Sequence, residues 1–349
     1  MLKVGIAGIG FMGWIHWLAY QRIPGVQVAA ICERDAKRLA GDWTDIQGNF
    51  GPPGEQVDLE GIATYEDLDE LVQDEALDFI DICLPPSFHL PAIEAAAKAG
   101  KQVFCEKPLA LNLKDCDLAN QACLRGGVSL LVGHVLPFFP EYQIARQEIA
   151  SGKYGDLLGG HFKRVISDPT WLTHFYDPNK VGGPLIDLHI HDAHLIRLLF
   201  GMPNEVTSIG RTRDSVVSYC DSVFRFADPK VCVSTCSGVI NQQGRPFTHG
   251  FEIHLERATI HFEFAGFTDC GESMPLKILT SDGEVVRPTL ENSDPLQGFI
   301  SEITEVVHSI NTGELSEILA GELARDAIEM CQAQSESVMT GQSITIRHD

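Results

Sequence analysis

Residues 2–13 read LKVGIAGIGFMG and decide the fold of the first half of the chain. An apolar strand over 2–7 runs directly into a GxGxxG turn built from Gly8, Gly10 and Gly13, with Phe11 and Met12 between the last two glycines. In a dinucleotide-binding βαβ unit these glycines permit a tight turn, close approach of the pyrophosphate and close helix–strand packing. The following helix offers free N–H groups and a positive dipole to phosphates. The pattern predicts a dinucleotide site at these five residues, against the alternative of a glycine turn without a cofactor.

An acidic and a basic residue follow the second predicted strand, Val26–Cys32. Glu33 lies about 20 residues beyond Gly13, where an acid binds the ribose 2′-hydroxyl of NAD. Arg34 follows at once and offers a cation for the 2′-phosphate of NADP. Because a carboxylate at this position repels a phosphate, the pair favours NAD and leaves NADP open.

Short apolar strands alternate with helical segments from residue 1 to about 123, which predicts βαβ units and a parallel sheet. The predicted helices cover 13–22, 65–72, 90–99 and 113–124, and the predicted strands cover 2–7, 26–32, 78–84, 102–105 and 128–132. A stretch rich in Gly, Pro and acidic residues over 48–61 is typical of a surface loop. The pattern places a Rossmann domain at 1–123 and a second domain at 124–349.

The second half has one strong predicted helix over 184–200, with Pro184 in its first turn and Gly201 just past its end. From 205 to 279 the chain shows mostly period-two strands, which predicts a large open sheet, mostly antiparallel. Two helices near 296–310 and 321–339 and a short last strand complete a C-terminal α/β domain. FEIHLERATIHFEF, at 251–264, alternates only loosely, so we expect apolar groups on both sheet faces and a homodimer or homotetramer formed through the sheet.

The net charge of −22 excludes nucleic acid as an expected partner, because phosphate binding needs clustered Lys and Arg. The sequence contains no apolar run that approaches the roughly 18–20 residues of a membrane span. The opening MLKVGIAGIG leaves no room for a signal peptide, so we expect a cytoplasmic protein without a membrane partner. The ten cysteines form no CxxC pair and are expected to be buried free thiols.

Two further motifs narrow the class of protein. Glu106-Lys107-Pro108 ends the strand KQVFC, and GGPLIDLHIHD occupies 182–192. Together with the glycine turn and their order, these motifs resemble the glucose–fructose oxidoreductase / inositol dehydrogenase family (Gfo/Idh/MocA) over essentially the whole chain. The resemblance implies a Rossmann domain followed by an α/β domain, and nicotinamide-dependent oxidation or reduction of sugars, cyclitols or related polyols.

The resemblance also identifies Lys107, Asp187 and His191 as catalytic residues, and their chemistry fits independently. Oxidation of a secondary alcohol passes a hydride to nicotinamide and a proton to a base. A histidine suits a general base near neutral pH, and Asp187 lies four residues before His191 on one predicted helical face. Lys107 can stabilise the developing alkoxide, and the proline after it favours an extended backbone there.

The remaining candidates are weaker, since each also fits an ordinary structural role. The resemblance adds the cofactor neighbours Pro85, His89, Glu106 and Lys107. The possible substrate contacts are His134, Trp171, His174, Tyr176 and His194. His189, His191 and His194 also invite comparison with a metal site, but only His191 and His194 share a helical face and no second ligand motif accompanies them, so no metal is predicted.

The leading hypothesis is therefore an NAD-dependent, or alternatively NADP-dependent, dehydrogenase acting on a CH–OH group of a sugar, cyclitol or related polyol. Two alternatives remain open. A hydrolase or lyase that retains its cofactor would oxidise a sugar transiently and would use the same residues. A non-catalytic NAD(P)-linked regulator would have no need of the Lys107, Asp187 and His191 set.

Overall fold

The computed structural model describes residues 1–48, 50–170, 172–290 and 294–346. The chain divides into two compact units. The first unit contains Met1–Phe139 and Asn292–Arg325, and the second contains Pro140–Glu291 and Asp326–Asp349. Among the described residues, no helix combines the length and the apolar character that crossing a membrane requires.

Six parallel strands form the sheet of the first unit, in the order β3-β2-β1-β4-β5-β6. In chain order they are β1 (Leu2–Ala7), β2 (Val26–Cys32), β3 (Ala63–Tyr65), β4 (Phe79–Ile82), β5 (Gln102–Glu106) and β6 (Leu130–Gly133). The helices of this unit are α1 (Phe11–Tyr20), α2 (Ala36–Leu39), α3 (Leu68–Gln73), α4 (His89–Lys98), α5 (Leu113–Gly126) and α8 (Gln297–Thr312). The strand order reverses between β1 and β4, and ligands bind at the carboxyl ends of the strands at such a reversal.

The strands of the first unit are apolar because helices cover both faces of a parallel sheet. Val4 and Ile6 of β1 and Phe79 of β4 have no exposed surface. The same core continues into α1, whose Trp14 is buried against Trp43, with ring centroids 5.8 Å apart. The burial of these strands confirms the parallel-sheet prediction for this half of the chain.

Two sequence-based boundaries in this unit differ from the structure. The predicted domain end at residue 123 lies too early, because β6 pairs with β5 and residues 292–325 return to the same unit. The predicted helix over 65–72 is in fact the strand β3 followed by the short helix α3. Asp67 caps α3, because its side chain accepts a hydrogen bond from the backbone N–H of Asp69 and so sets a later start.

Nine strands form the sheet of the second unit, in the order β14-β13-β12-β11-β7-β10-β9-β8-β15. In chain order they are β7 (Leu157–Ser167), β8 (Glu205–Arg213), β9 (Val216–Arg225), β10 (Cys232–Ile240), β11 (Phe247–Leu255), β12 (Ala258–Gly266), β13 (Gly271–Thr280), β14 (Val285–Val286) and β15 (Ile344–Thr345). Only the pairing of β7 with β10 is parallel among these described strands, so the mostly antiparallel prediction is confirmed. The helices are α6 (Pro140–Ala150), α7 (Ile190–Phe200) and α9 (Gly321–Thr340), whose first residues belong to the first unit.

The central strand β7 and the helix α6 are absent from the sequence-based assignment. The segment over β7 reads LLGGHFKRVIS, and its two glycines and three basic or imidazole side chains hide the strand pattern. One of those side chains, Arg164, is buried and forms a two-bond ion pair with Asp192 of α7. Tertiary pairing with an acid therefore permits a charged residue where sequence propensity argues against a central strand.

The two faces of this sheet differ in polarity more sharply than the sequence suggests. Phe251, Ile253 and Phe262 are buried on one face, whereas Glu252 and His261 alternate with them and are partly exposed on the other. The expectation of apolar groups on both faces is therefore wrong for β11 and β12, because the alternation is regular. Exposed apolar side chains on the outward face are found instead at the far strands, at Ile209 and Val223.

The predicted helix over 184–200 consists of two parts. Leu185–His189 forms a π-helical turn, and α7 continues as a regular α-helix from Ile190. Single π-helical turns are rare and often occur at functional sites. The widened turn means that Asp187 and His191 do not stand in the simple four-residue relation of an α-helix that the sequence suggests.

All ten cysteines are free thiols. Most are buried, as expected from their apolar surroundings, but Cys232 and Cys270 are exposed. The prediction of buried thiols is wrong for these two, because they lie at the start of β10 and just before β13, where the sheet meets solvent.

The buried ion pair in the second unit yields a stability prediction. Asp192→Asn leaves the Arg164 guanidinium buried without a counter-charge and should lower the free energy of unfolding by about 3–5 kcal/mol. The matched control is Glu205→Gln, which removes the partner of Arg225 in an exposed pair and should cost less than about 1 kcal/mol. Urea unfolding of both variants measures the difference, and equal losses would contradict the account.

Candidate functional site

The glycine turn joins β1 to α1 in the first unit. Gly8 has φ +95°, a conformation that other residues rarely adopt. A Cβ at Gly13 would lie 2.2 Å from the Gly8 carbonyl oxygen, whereas a Cβ at Gly10 would meet no atom of the described residues within 4 Å. Within the described part of the chain, no side chain caps the N-terminus of α1 at Gly10. Phe11 and Met12 begin the helix and are partly exposed. The turn thus leaves open space and uncapped N–H groups where a pyrophosphate fits.

Glu33, at the end of β2, binds the backbone of this turn. One carboxylate oxygen accepts the Ile9 N–H at 2.9 Å, and the other accepts the N–H groups of Arg34 and Asp35. The Arg34 side chain is exposed and lies 6.0 Å from the centre of the Phe88 ring. The carboxylate is therefore held at the edge of the turn, where the sequence predicts the contact with the ribose.

Sequence reasoning missed Arg38, which also reaches the glycine turn. Its guanidinium donates to the Ile9 carbonyl oxygen at 3.0 Å and pairs with Asp45 at 2.8 Å. The sequence signal for Arg38 is its place in the first short helix after Glu33. Arg38 and Glu33 together hold both polar backbone groups of Ile9.

Lys107 follows the last residue of β5, at the carboxyl edge of the parallel sheet. In the stretch 103–110, all of which the structure describes, Lys107 is the one residue that is not buried. Its backbone N–H donates to the Glu106 carboxylate at 3.1 Å. The sheet thus buries the strand and the following proline while the lysine side chain keeps access to solvent.

His89 has a different role from the predicted cofactor contact. It has no exposed surface, and its ring nitrogens lie 2.9 Å from the Pro108 carbonyl oxygen and 2.7 Å from that of Leu84. Burial lowers the pKa of its imidazole. His89 therefore ties the loop after β4 to the loop after β5, and of the two predicted neighbours in this loop Pro85 is the exposed one.

A buried cluster of ionisable side chains lies behind this edge and was missed entirely from sequence. His16 of α1 places Nδ1 2.8 Å from Asp81 Oδ2 and Nε2 3.1 Å from Glu106 Oε1. Burial lowers the pKa of His16, but the charges of Asp81 and Cys83 and the hydrogen bonds to both side chains together outweigh burial and hold the pKa well above its usual range. His16, Asp81 and Cys83 are also the one group among the described residues whose metal-ligand atoms all lie within 4.8 Å of one another.

Asp187 and His191 lie in the second unit. In the stretch 183–196, which is described in full, they are the two side chains that stay partly exposed. Asp187 belongs to the π-helical turn and His191 to the first turn of α7. The structure therefore leaves accessible the two residues of this segment that the sequence identifies as catalytic.

The other polar residues of the same segment are buried. His189 and His194 have no exposed surface, so the predicted substrate contact at His194 is not supported by its position. Asp192 pairs with Arg164, and His189 Nδ1 lies 3.8 Å from it. Burial would raise the pKa of Asp192, but Arg164 and His189 hold it well below its usual range.

The remaining substrate candidates are dispersed. His134 follows β6 in the first unit and is buried. In the second unit His174 is exposed beside Lys180, with the lysine Nζ 3.1 Å from its ring. The Tyr176 hydroxyl donates to Asp168, and burial together with that carboxylate raises the pKa of Tyr176 to about 12. Trp171 lies outside the described residues.

The fold and the glycine turn define a dinucleotide-binding protein with a Rossmann domain, and comparison with known proteins places it among oxidoreductases. Residues 2–134 match the model of the oxidoreductase family with an NAD-binding Rossmann fold, and residues 142–261 match the GFO/IDH/MocA C-terminal domain. The chain therefore belongs to the Gfo/Idh/MocA family, and its first domain is an NAD-binding domain. The resemblance, fold class and cofactor inferred from sequence are confirmed.

Curated relatives and solved structures are similar to parts or all of the chain. The 2,7-anhydro-N-acetylneuraminate hydratase of Escherichia coli is 36% identical over 146 residues, 41% of this chain and 39% of the relative. The myo-inositol 2-dehydrogenase of Thermotoga maritima is 29% identical over 201 residues, 57% of this chain and 55% of the relative. A levoglucosan dehydrogenase solved with NADH and levoglucosan has a TM-score of 0.81 and 21% identity, and the match covers 99% of this chain and 100% of that one, which shows the shared fold. The chain thus spans about half or less of the length of these two curated relatives.

Two substitutions in the glycine turn distinguish an effect on cofactor binding from an effect on chain packing. Gly10→Ala meets no protein atom and should leave the melting temperature unchanged, yet weaken NAD binding about tenfold or more, a loss of about 1.4 kcal/mol. Gly13→Ala places its Cβ against the Gly8 carbonyl oxygen and should lower both stability and NAD affinity. Thermal melts and fluorescence titration with NAD measure the two properties. Unchanged NAD affinity in Gly10→Ala would show that the pyrophosphate does not approach this backbone.

Proposed function

We propose that this protein is an NAD-dependent dehydrogenase that oxidises a secondary alcohol of a sugar, cyclitol or related polyol. The observation that carries the proposal is the selective exposure of Lys107, Asp187 and His191. Each stays accessible within a stretch whose other residues are buried. Ionisable side chains kept accessible at the carboxyl edge of a Rossmann sheet and at a π-helical turn are the groups available for proton chemistry.

Each of the three residues has its own role in alcohol oxidation. When bound, the nicotinamide supplies the acceptor for the hydride. The His191 imidazole accepts the hydroxyl proton as a general base. Asp187 orients that imidazole or the neighbouring hydroxyls by hydrogen bonding. The Lys107 ammonium donates to the carbinol oxygen and stabilises the negative charge that develops on it.

The rest of the site supports binding of NAD. The open space over Gly10 admits the pyrophosphate, and the carboxylate of Glu33 stands at the end of β2, where a ribose hydroxyl can donate to it. Relatives act on compounds of the proposed class, since one is a myo-inositol 2-dehydrogenase and one solved structure is a levoglucosan dehydrogenase. A polyol with adjacent ring hydroxyls is therefore the first substrate class to test.

A hydratase among the relatives supports a second candidate function. In this alternative the same residues oxidise a sugar transiently and the cofactor is then restored, so that no reduced nicotinamide accumulates. Non-catalytic regulation has no comparable support, because a regulator has no use for the three accessible ionisable groups.

A screen of polyols separates these functions. The full-length protein is mixed with NAD and with single sugars, cyclitols and anhydrosugars, and reduced nicotinamide is followed by absorbance. A dehydrogenase produces reduced nicotinamide in proportion to oxidised product. Conversion of a sugar without reduced nicotinamide supports the transient mechanism, and the absence of any conversion across the panel would overturn the proposal.

The catalytic assignment predicts losses of turnover on the substrate found in that screen. Lys107→Ala and His191→Ala should each lower kcat by about 10²-fold or more, within the range for loss of an oxyanion donor or a general base. NAD affinity should change little, because both residues act at the chemical step more than in cofactor binding. The parent rate should rise with pH as His191 loses its proton, and this rise should disappear in His191→Ala. Lys98→Ala, an exposed lysine of α4, is the matched control and should keep the parental rate.

The position of Glu33 predicts the choice of cofactor. Its carboxylate would face the extra phosphate of NADP, so NAD should bind more tightly than NADP in fluorescence titrations of the parent protein. Glu33→Gln removes the negative charge and keeps one acceptor oxygen. It should therefore reduce the preference for NAD over NADP. Tighter binding of NADP by the parent would contradict this assignment and would direct attention to Arg34 and Arg38.

We also propose that the outward face of the second unit's sheet joins two copies of this chain. The face carries exposed Ile209 and Val223 beside a hollow of about 580 Å³ whose lining includes Lys163 and Glu263. Two copies related by a two-fold axis place the same patch on both sides of the interface. Light scattering should give a dimer or tetramer, and Val223→Glu should shift it toward monomer. A monomeric parent at micromolar concentration would overturn this interface.

A further inference from the structure

The buried ionisable cluster of the first unit has no part in the function proposed above. It contains His16 and Tyr20 of α1, Asp81 and Cys83 at β4, Glu106 of β5 and Glu302 of α8. The His16, Asp81 and Glu302 side chains have no exposed surface and Glu106 is 5% exposed. Burying such groups costs several kcal/mol per ion unless each is paired. Packing alone therefore does not explain a cluster of this kind behind the carboxyl edge of the sheet.

The geometry around His16 defines its hydrogen-bonding state. Both ring nitrogens face carboxylate oxygens, Asp81 Oδ2 on one side and Glu106 Oε1 on the other. A neutral imidazole has one N–H and can donate to only one of two carboxylates, so a doubly protonated ring satisfies both contacts, in agreement with the raised pKa of His16. The ring also stacks on Phe104 at a centroid distance of 5.4 Å, which prevents it from turning away.

The chain of contacts continues from His16 to the lysine. Glu106 Oε1 meets the imidazolium, and Glu106 Oε2 accepts the backbone N–H of Lys107. Both oxygens of this carboxylate are thus bound, one to the core and one to the residue after β5. The orientation of the strand end depends on where the core holds this carboxylate.

The other members of the cluster support the same arrangement. The Tyr20 hydroxyl donates to Asp81 Oδ2, the oxygen that also faces His16, and Cys83 Sγ lies 3.4 Å from Asp81 Oδ1. The two Glu302 oxygens are buried and have no hydrogen-bond partner among the residues that the structure describes. Burial, with the charge of Glu106, raises the pKa of Glu302 well above its usual range, so that its carboxyl group stays neutral. The two ring nitrogens of His16 thus face the Asp81 and Glu106 side chains rather than a metal ion.

We propose that His16 is a positioning residue for the reaction: clamped between Asp81 and Glu106, it fixes the carboxylate that receives the Lys107 N–H and so sets where Lys107 leaves the end of β5. This role rests on the proposed function of Lys107 as the donor to the carbinol oxygen. His16 itself touches neither the alcohol nor the cofactor. Its effect on the reaction passes through Glu106 and the backbone of Lys107.

Three variants separate positioning from simple loss of stability. His16→Phe keeps a ring on Phe104 and removes both donors, whereas His16→Gln keeps one donor at similar reach. Tyr20→Phe is the matched control, since it removes one buried hydrogen bond to the same Asp81 oxygen and leaves the contact of His16 with Glu106 in place. All assays run well below the lowest melting temperature of the set, so that each variant is measured folded.

Positioning predicts a loss in kcat rather than in binding. His16→Phe should lower kcat about 10- to 100-fold, the size of effect that a misplaced catalytic group produces, with KM and the NAD dissociation constant close to parental values. His16→Gln should recover part of the loss. Tyr20→Phe should lose stability but keep near-parental kcat. Parental kcat in His16→Phe, or losses of kcat that follow the loss of stability in all three variants, would overturn the role.

Two spectroscopic measurements test the same role without turnover. Long-range ¹⁵N–¹H spectra of the parent should show both His16 nitrogens protonated at neutral pH, and a singly protonated ring would overturn the clamp. Reductive ¹³C-methylation gives each lysine a separate resonance, with Lys107 assigned by Lys107→Arg. The Lys107 resonance should move in His16→Phe and stay in Tyr20→Phe, and an unmoved resonance would contradict positioning. Because these signals need no substrate, they test the positioning role even if the polyol screen finds no substrate.

Discussion

The constraint on which the structure depends is that a parallel sheet covered on both faces can expose side chains only where its strands end. β1, β2, β4 and β5 are mostly apolar and mostly buried, and accessible polar groups follow the carboxyl ends of three of them. The glycine turn follows β1, Glu33 follows β2 and Lys107 follows β5. The accessible chemistry of the first unit is thereby confined to one edge of the sheet, next to the reversal of strand order where a dinucleotide binds.

The second unit also restricts which side chains are accessible, but it does so through burial along a helix rather than through the ends of parallel strands. Pro184 precedes a π-helical turn that ends at the buried His189, and α7 continues from it with a buried face that includes Asp192 and His194. The ion pair of Arg164 with Asp192 fastens this helix to the central strand β7. Because these polar groups are committed to the core, Asp187 and His191 are left as the accessible pair. The burial of their neighbours supports the catalytic roles proposed for these two residues.

Strongly patterned features of this chain could be predicted from its sequence. The glycine turn, the strand ends at Glu33 and Lys107 and the accessible pair of α7 depend on local spacing, which a single sequence displays. The strand β7 could not be predicted, because Arg164 in a central strand is tolerated only through its distant partner Asp192. The buried cluster was missed for the same reason, although His16 and Asp81 share a signal, which is one ionisable residue within a mostly apolar run. The π-helical turn leaves no mark in composition or periodicity.

The central claim is that a hydride passes directly from a carbinol carbon to the nicotinamide while the residues of this chain handle the proton. The most direct measurement uses a substrate deuterated at the reacting carbon and follows both the isotope effect on kcat/KM and the position of the label. The account predicts a normal primary isotope effect and deuterium recovered on the reduced nicotinamide. Loss of the label to water, or its absence from the nicotinamide, would contradict it.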